Sequence, residues 1–71
     1  MINTKKLNDR IDSCGIKRSH LAEEMGISRQ ALWGKITNKA KFTPDEQQYL
    51  VGKLDIRTMK EFRGIFFSKR G

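Results

Sequence analysis

The segment HLAEEMGISRQALWGKI, His20 to Ile36, carries two apolar stripes of helical spacing with a glycine between them. Leu21 and Met25 lie four apart, as do Leu32 and Ile36 after Ser28, whose hydroxyl can cap a helix start. Gly26 fits the junction because the residue that ends the first helix must take a positive φ, which only glycine does without steric cost. Ala22 is small where the two helices would cross, Ile27 would plug the space beneath the turn, and Leu32 would pack back on Leu21 and Met25. Two short helices at a steep angle around a glycine-containing turn predict a helix-turn-helix over about residues 18–36. A plain helical hairpin has the same pattern, and the basic run that follows favours the first reading.

Outward from this segment the same period continues. Leu7, Ile11 and Cys14 form a first stripe, behind a cap expected at Thr4 and ended by Gly15. Thr43-Pro44-Asp45-Glu46 is a capping box with proline in the first helical position, and it starts a helix that turns Leu50, Val51 and Leu54 inward. Thr58-Met59-Lys60-Glu61 repeats that logic for a fifth helix carrying Met59, Phe62 and Phe66. There is one proline and no strand-like alternation, so the expected fold is all-α: five short helices in one domain spanning 1–71. The expected core is Leu7, Ile11, Leu21, Met25, Leu32, Ile36, Leu50, Leu54, Phe62 and Phe66.

A chain of 71 residues makes a small domain. At this length it buries only about 60% of its unfolded surface, so a partner or second copy would help its stability. Fifteen Lys and Arg against eight Asp and Glu give a net charge of +7, a bias toward a polyanionic partner. The bias is also local: no acid lies between Glu24 and Asp45, where Arg29, Lys35, Lys39 and Lys41 all fall. A solvated basic face is the plainer alternative. The lone Cys14 suits a reducing cytoplasm. MINTKKLNDR holds no signal-like apolar run, and Ile65-Phe66-Phe67 is far too short to span a bilayer. A soluble cytoplasmic protein without a membrane partner is expected.

Enzymatic readings fail on inventory. His20 and Cys14 lack companions for a metal site, Ser19-His20 has no third member, and there is no glycine-rich phosphate loop. Glu23-Glu24 and Asp45-Glu46 read as helix-surface and helix-start acids. No cofactor, metal or catalytic residue is expected.

Leu21-Ala22, Met25-Gly26-Ile27-Ser28-Arg29-Gln30 and Phe42-Thr43-x-x-Glu46 together resemble the small phage-type Cro and lysogenic-repressor family of helix-turn-helix regulators. The resemblance runs from the first helix through the closing IFF. It implies a compact lambda-repressor-like DNA-binding domain that binds double-stranded operator DNA of a temperate phage or prophage, in the bacterial host cytoplasm at the nucleoid. Lys17 departs from the pattern where the family often has Ser or Thr, so the second helix is either less well capped or capped by Ser19. No separate C-terminal dimerisation domain is expected, so the resemblance points to a Cro-like protein rather than a full-length repressor.

If the helix over about 28–36 enters the major groove, its N-terminal residues meet base edges. Arg29 would clamp guanine O6 and N7, and Gln30 would pair with adenine N6 and N7, each worth ~1–3 kcal/mol of discrimination. Two solubilising residues are the plain alternative. Ser28 would cap the helix, touch DNA, or do both. Lys17 and Arg18, at the start of the second helix, and Lys35, Thr37, Asn38, Lys39 and Lys41 would hold phosphates. Trp33, counted with the base-contacting residues, has four readings: a thymine methyl, a neighbouring helix, a protein partner, or an ill-defined surface. Gly34 lowers helix propensity by about 1 kcal/mol relative to alanine.

Ile65 and Phe67 widen the apolar arc of the fifth helix, predicting a weak homodimer there that would read two half-sites. A terminal helix tucked into its own core is the alternative. The rival function is a protein-interaction regulator that binds a cognate phage repressor through the same helix as the DNA reading.

Overall fold

Every helix but one begins where a short polar side chain accepts a hydrogen bond from the backbone of its first turn. The computed structural model describes residues 1–67. Its five helices are α1 (Thr4–Ser13), α2 (Arg18–Met25), α3 (Arg29–Ile36), α4 (Pro44–Lys53) and α5 (Met59–Phe66). Among the described residues there is no strand. Ser28 Oγ accepts from Ala31 N–H at 3.0 Å to start α3, and the Thr43–Glu46 capping box starts α4. Thr58 caps α5, but the Glu61 carboxylate accepts from Arg57 N–H at 3.3 Å instead of closing the box on Thr58. The exception is α2, which begins at Lys17 without a side-chain cap from Lys17 or Ser19.

The cap of α1 is Asn3 rather than Thr4. Thr4 is already helical, and its hydroxyl donates to the Ile36 carbonyl at 2.7 Å, tying the start of α1 to the end of α3. Between α2 and α3 lies the turn Gly26-Ile27-Ser28. Gly26 sits at φ +72, the left-handed conformation that its position requires, and Ile27 N–H closes the turn on Ala22 C=O at 3.0 Å.

The helices close on one core within an envelope of 28 × 23 × 20 Å, with α2 against α3 and α1 against both α3 and α5. Leu7, Ile11, Leu21, Leu32, Ile36, Leu50, Leu54 and Phe66 are buried as expected. Ile2, Ala22, Phe42 and Ile56 join them, with the Phe42 ring edge-on to Phe66 at 6.0 Å. Met25 and Phe62 are only half-buried and pack on the core's edge. Cys14 lies past the end of α1 and is exposed.

Ile65 corrects the expectation of an outer surface. It is 6% exposed, because α5 packs against α1 and the N-terminal segment folds over it, with Asn3 N–H donating to Ile65 C=O at 2.8 Å. Phe67 keeps an exposed ring at the end of α5, touching Phe62 edge-on.

Arg10 fastens α1 to the far end of the chain. Its guanidinium donates to the carbonyls of Leu54 at 2.9 Å and Asp55 at 2.6 Å, and to the Glu61 carboxylate at 3.0 Å. Among the described residues no helix is long and apolar enough to cross a membrane.

Candidate nucleic-acid interface

The packing of Leu32 and Ile36 sets which way α3 faces. At about 100° per residue, the side opposite those two carries Gln30, Ala31 and Gly34. Trp33 flanks that face on one edge and Lys35 on the other, while Arg29, seven residues before Ile36, lies over the inward stripe as the first residue of α3. Ser28, Arg29, Gln30, Ala31 and Trp33 are all exposed, Trp33 by 49%. The side chains of Arg29, Gln30 and Trp33 make no hydrogen bond, ion pair or ring contact with any other described residue. Ser28 turns its hydroxyl to Ala31 N–H, so its capping role is filled.

The seven residues expected on phosphates divide. Lys17, Lys39 and Lys41 are exposed and have no side-chain partner among the described residues. Arg18 reaches back to α1, donating to Asn8 Oδ1 at 2.9 and 3.0 Å and pairing with Asp12 at 3.1 Å. Thr37 donates its hydroxyl to Trp33 C=O at 2.8 Å and finishes α3.

Lys35 and Asn38 are corrections, because the fold takes their polar atoms. The Lys35 ammonium donates to both Glu46 oxygens, at 2.5 and 2.7 Å, with each side chain only 15% exposed. Asn38, at φ +69, bonds the backbone of Ile2 in both directions. Both residues position the surface rather than furnish it.

Two carboxylates hold α4 to the helices that carry this face. Burial pushes Glu46 upward, but the hydrogen bonds from Lys35 and from Thr43 N–H outweigh it, and the net displacement is below the usual glutamate value. Glu24 of α2 accepts from the Tyr49 hydroxyl and pairs with Lys53 of α4 at 3.3 Å. These hydrogen bonds from Tyr49 and Lys53 lower Glu24, while burial and the bond to Glu24 push Tyr49 up to about 12. His20 lies one turn before Glu24, at 3.4 Å.

What emerges is a ridge on α3 with two lysines in the loop beyond it, and no acid from residue 25 to residue 44. A planar guanidinium and a carboxamide in the first turn of a helix match the donor and acceptor pattern of base edges, and isolated ammonium groups match phosphates. Sequence reasoning missed Glu46 as the anchor of Lys35. The capping box marked Glu46, but nothing local says that the same carboxylate meets a lysine eleven residues earlier. Among the described residues, no three His, Cys, Asp or Glu side chains gather into a metal-sized cluster.

Comparison with protein-family models, with curated proteins and with solved structures gives no match to this chain.

Proposed function

We propose that this chain is a sequence-specific DNA-binding transcriptional regulator, with α2, the Gly26 turn and α3 acting as a helix-turn-helix and α3 lying in the major groove. The observation that carries this reading is that Arg29 and Gln30, in the first turn of α3, have no side-chain partner among the described residues, in a chain of net charge +7. Arg29 would fork onto guanine O6 and N7, and Gln30 onto adenine N6 and N7. Lys17, Lys39 and Lys41 would hold phosphates and fix the register. The resemblance of His20–Ile36 to the Cro and lysogenic-repressor family makes a phage or prophage operator the natural target, with repression as the outcome. A weak homodimer would read two half-sites. Its contact would be the exposed Met59 and Phe67 of the α5 segment, because Ile65 is taken by the core.

The test is selection from a pool of random duplexes, followed by titration of the enriched site at several salt concentrations. Enrichment of a defined site, with log affinity falling linearly in log salt, supports the reading. Failure to retain any duplex at low salt overturns it.

A second reading rests on Trp33, whose 49% exposure suits an interface anchor. On that reading α3 binds a protein partner, such as a cognate repressor, and modulates it. Binding that is insensitive to salt and abolished by Trp33→Ala would favour the partner over DNA.

A further inference from the structure

Three cations serve neither the fold nor the ridge on α3. On α1 and α5 every carboxylate is paired: Asp9 with Lys5 at 2.9 Å, Asp12 with Arg18 at 3.1 Å, and Glu61 with Arg10 at 3.0 Å. The basic side chains left over on those two helices are Lys6, Lys60 and Arg63. All three are exposed and have no side-chain partner among the described residues.

The outer side of α5 gathers them. Phe62, Ile65 and Phe66 turn inward, so at about 100° per residue the opposite side carries Lys60 and Gly64, with Arg63 toward one edge. Lys6 reaches this side from α1. Its ammonium lies 3.4 Å from where a Cβ on Gly64 would stand, so the glycine leaves it room across α5. Lys6 and Lys60 also border the groove between α1 and α5, about 490 Å³, which no residue of α2, α3 or the 37–42 loop lines. The surface is thus separate from the ridge on α3. Like charges gathered without acids repel one another, so the fold gains no stability from them.

The ligand class follows from what this face lacks. Lys6, Lys60, Arg63 and Gly64 present no large apolar side chain, the usual anchor of a protein interface, and Ile65 beside them is only 6% exposed. A second copy of the chain would bring its own charge of +7. A DNA backbone asks only for unpaired positive charge, and it is held without reading bases. We infer that the α1–α5 face holds the phosphate backbone of a second duplex, so that a chain with α3 on its operator bridges two DNA segments. This rests on the proposed DNA-binding function and adds a second, sequence-independent contact to it.

The experiment immobilises the duplex that the wild-type protein selects, loads it with protein, and adds a labelled duplex of unrelated sequence. The labelled duplex is long enough to touch several bound copies. Wild type is compared with Lys60→Gln/Arg63→Gln and with Lys53→Gln/Arg57→Gln. The second pair removes the same charge from cations that are already ion-paired, with Glu24 and Asp55. Wild type and the control pair should capture the labelled duplex at low salt. Each copy's hold on it should weaken about 40-fold between about 50 and 200 mM salt, three phosphates at a slope of about 0.9 each. Lys60→Gln/Arg63→Gln should lose the capture while retaining the immobilised operator as the control does.

Capture by Lys60→Gln/Arg63→Gln equal to that of wild type overturns the inference, and so does an equal loss in the control pair. Weakening of operator retention in step with the capture would place these cations on the same duplex as α3 and overturns the bridge. Displacement of the labelled duplex by polyglutamate more readily than by unlabelled DNA assigns the face to an acidic protein, with the same consequence. Wild type that holds operator and captures nothing refutes the bridge alone, whereas wild type that selects no duplex refutes the reading of α3 itself.

Discussion

Asn38 grips Ile2 by both ends of its amide, accepting from Ile2 N–H at 2.8 Å and donating to Ile2 C=O at 2.9 Å across 36 positions of sequence. The grip is possible because Asn38 ends the α3 region at φ +69, a left-handed conformation that asparagine tolerates better than most residues. With Thr4 bonded to Ile36 C=O, the first residues of the chain hold the end of α3 and the loop that carries Lys39 and Lys41. Asn38→Ala removes both bonds and strains the backbone, and is expected to cost about 2–4 kcal/mol. Asn38→Gly keeps the conformation and should cost clearly less. Urea midpoints measure both, and equal losses would refute the role of backbone strain.

Leu32 faces the core from the same helix that exposes Arg29 and Trp33, and is 2% exposed. Leu32→Ala should destabilise by about 2–5 kcal/mol, a large share of the stability of so small a domain. Thermal unfolding followed by circular dichroism checks this. An unchanged melting temperature would remove Leu32 from the core.

Acid should loosen the contact between α3 and α4. Glu46 is held below the ordinary glutamate value of 4.5, so around and below that pH the folded state binds fewer protons than the unfolded state. The stabilisation is complete above pH 4.5 and is lost as pH falls through the depressed value. Glu24, Asp55 and Glu61 are displaced the same way but are more exposed, so solvent screens their contribution. Glu46→Gln should flatten the fall in the urea midpoint between neutral pH and about pH 3. An identical pH profile in the variant would exclude Glu46 as the main titrating group.

Tyr49 is the only tyrosine in the chain, so its phenolate absorbance is cleanly assigned. Its midpoint should lie near the value of about 12, above the ordinary 10.0, since burial and the bond to Glu24 both favour the neutral phenol. The sign is opposite to that of the carboxylates: stability is complete below pH 10.0 and lost as pH rises through about 12. Glu24→Gln should move the midpoint back toward 10.0. A midpoint that does not move would mean that burial alone raises it.

Arg29→Ala should lose ~1–3 kcal/mol on the selected operator and relax preference at one guanine per half-site. Lys39→Ala should weaken all duplexes alike and lower the salt slope by about one unit. Quantitative mobility shifts on matched and mismatched duplexes separate the two. Equal effects of both variants on every sequence would remove the base-reading role of Arg29.

Polar replacement of Met59 and Phe67, 63% and 57% exposed, should leave the monomer folded and reduce association on DNA. Ile65→Ser should instead unfold it, because Ile65 is inside. Sedimentation of each variant, alone and on operator, distinguishes the cases. A strict monomer of wild type on DNA at high concentration would end the dimer hypothesis.

What the sequence determined by itself is where α3, α4 and α5 begin, where α2 ends, and most of the residues that face inward. Ser28, Thr43 and Thr58 cap because a hydroxyl and the amide it meets are only three residues apart, and Gly26 turns left-handed because its own φ is at stake. Such preferences act within one helical turn and need nothing from the rest of the chain. The exposure of Gln30 and Trp33 was legible for the same reason, since Leu32 and Ile36 on one stripe leave those two off it, whereas Arg29 shares their spacing and is exposed at the first position of the helix. Tertiary structure decided the remainder. Whether Lys35 meets a phosphate or Glu46, whether Asn38 is a surface amide or a clamp on Ile2, and whether Ile65 lies outside or inside all depend on which helices pass beside them. Periodicity says which residues share a face of a helix, whereas the packing of α1, α4 and the N-terminal segment against that face chooses the partner of each long side chain.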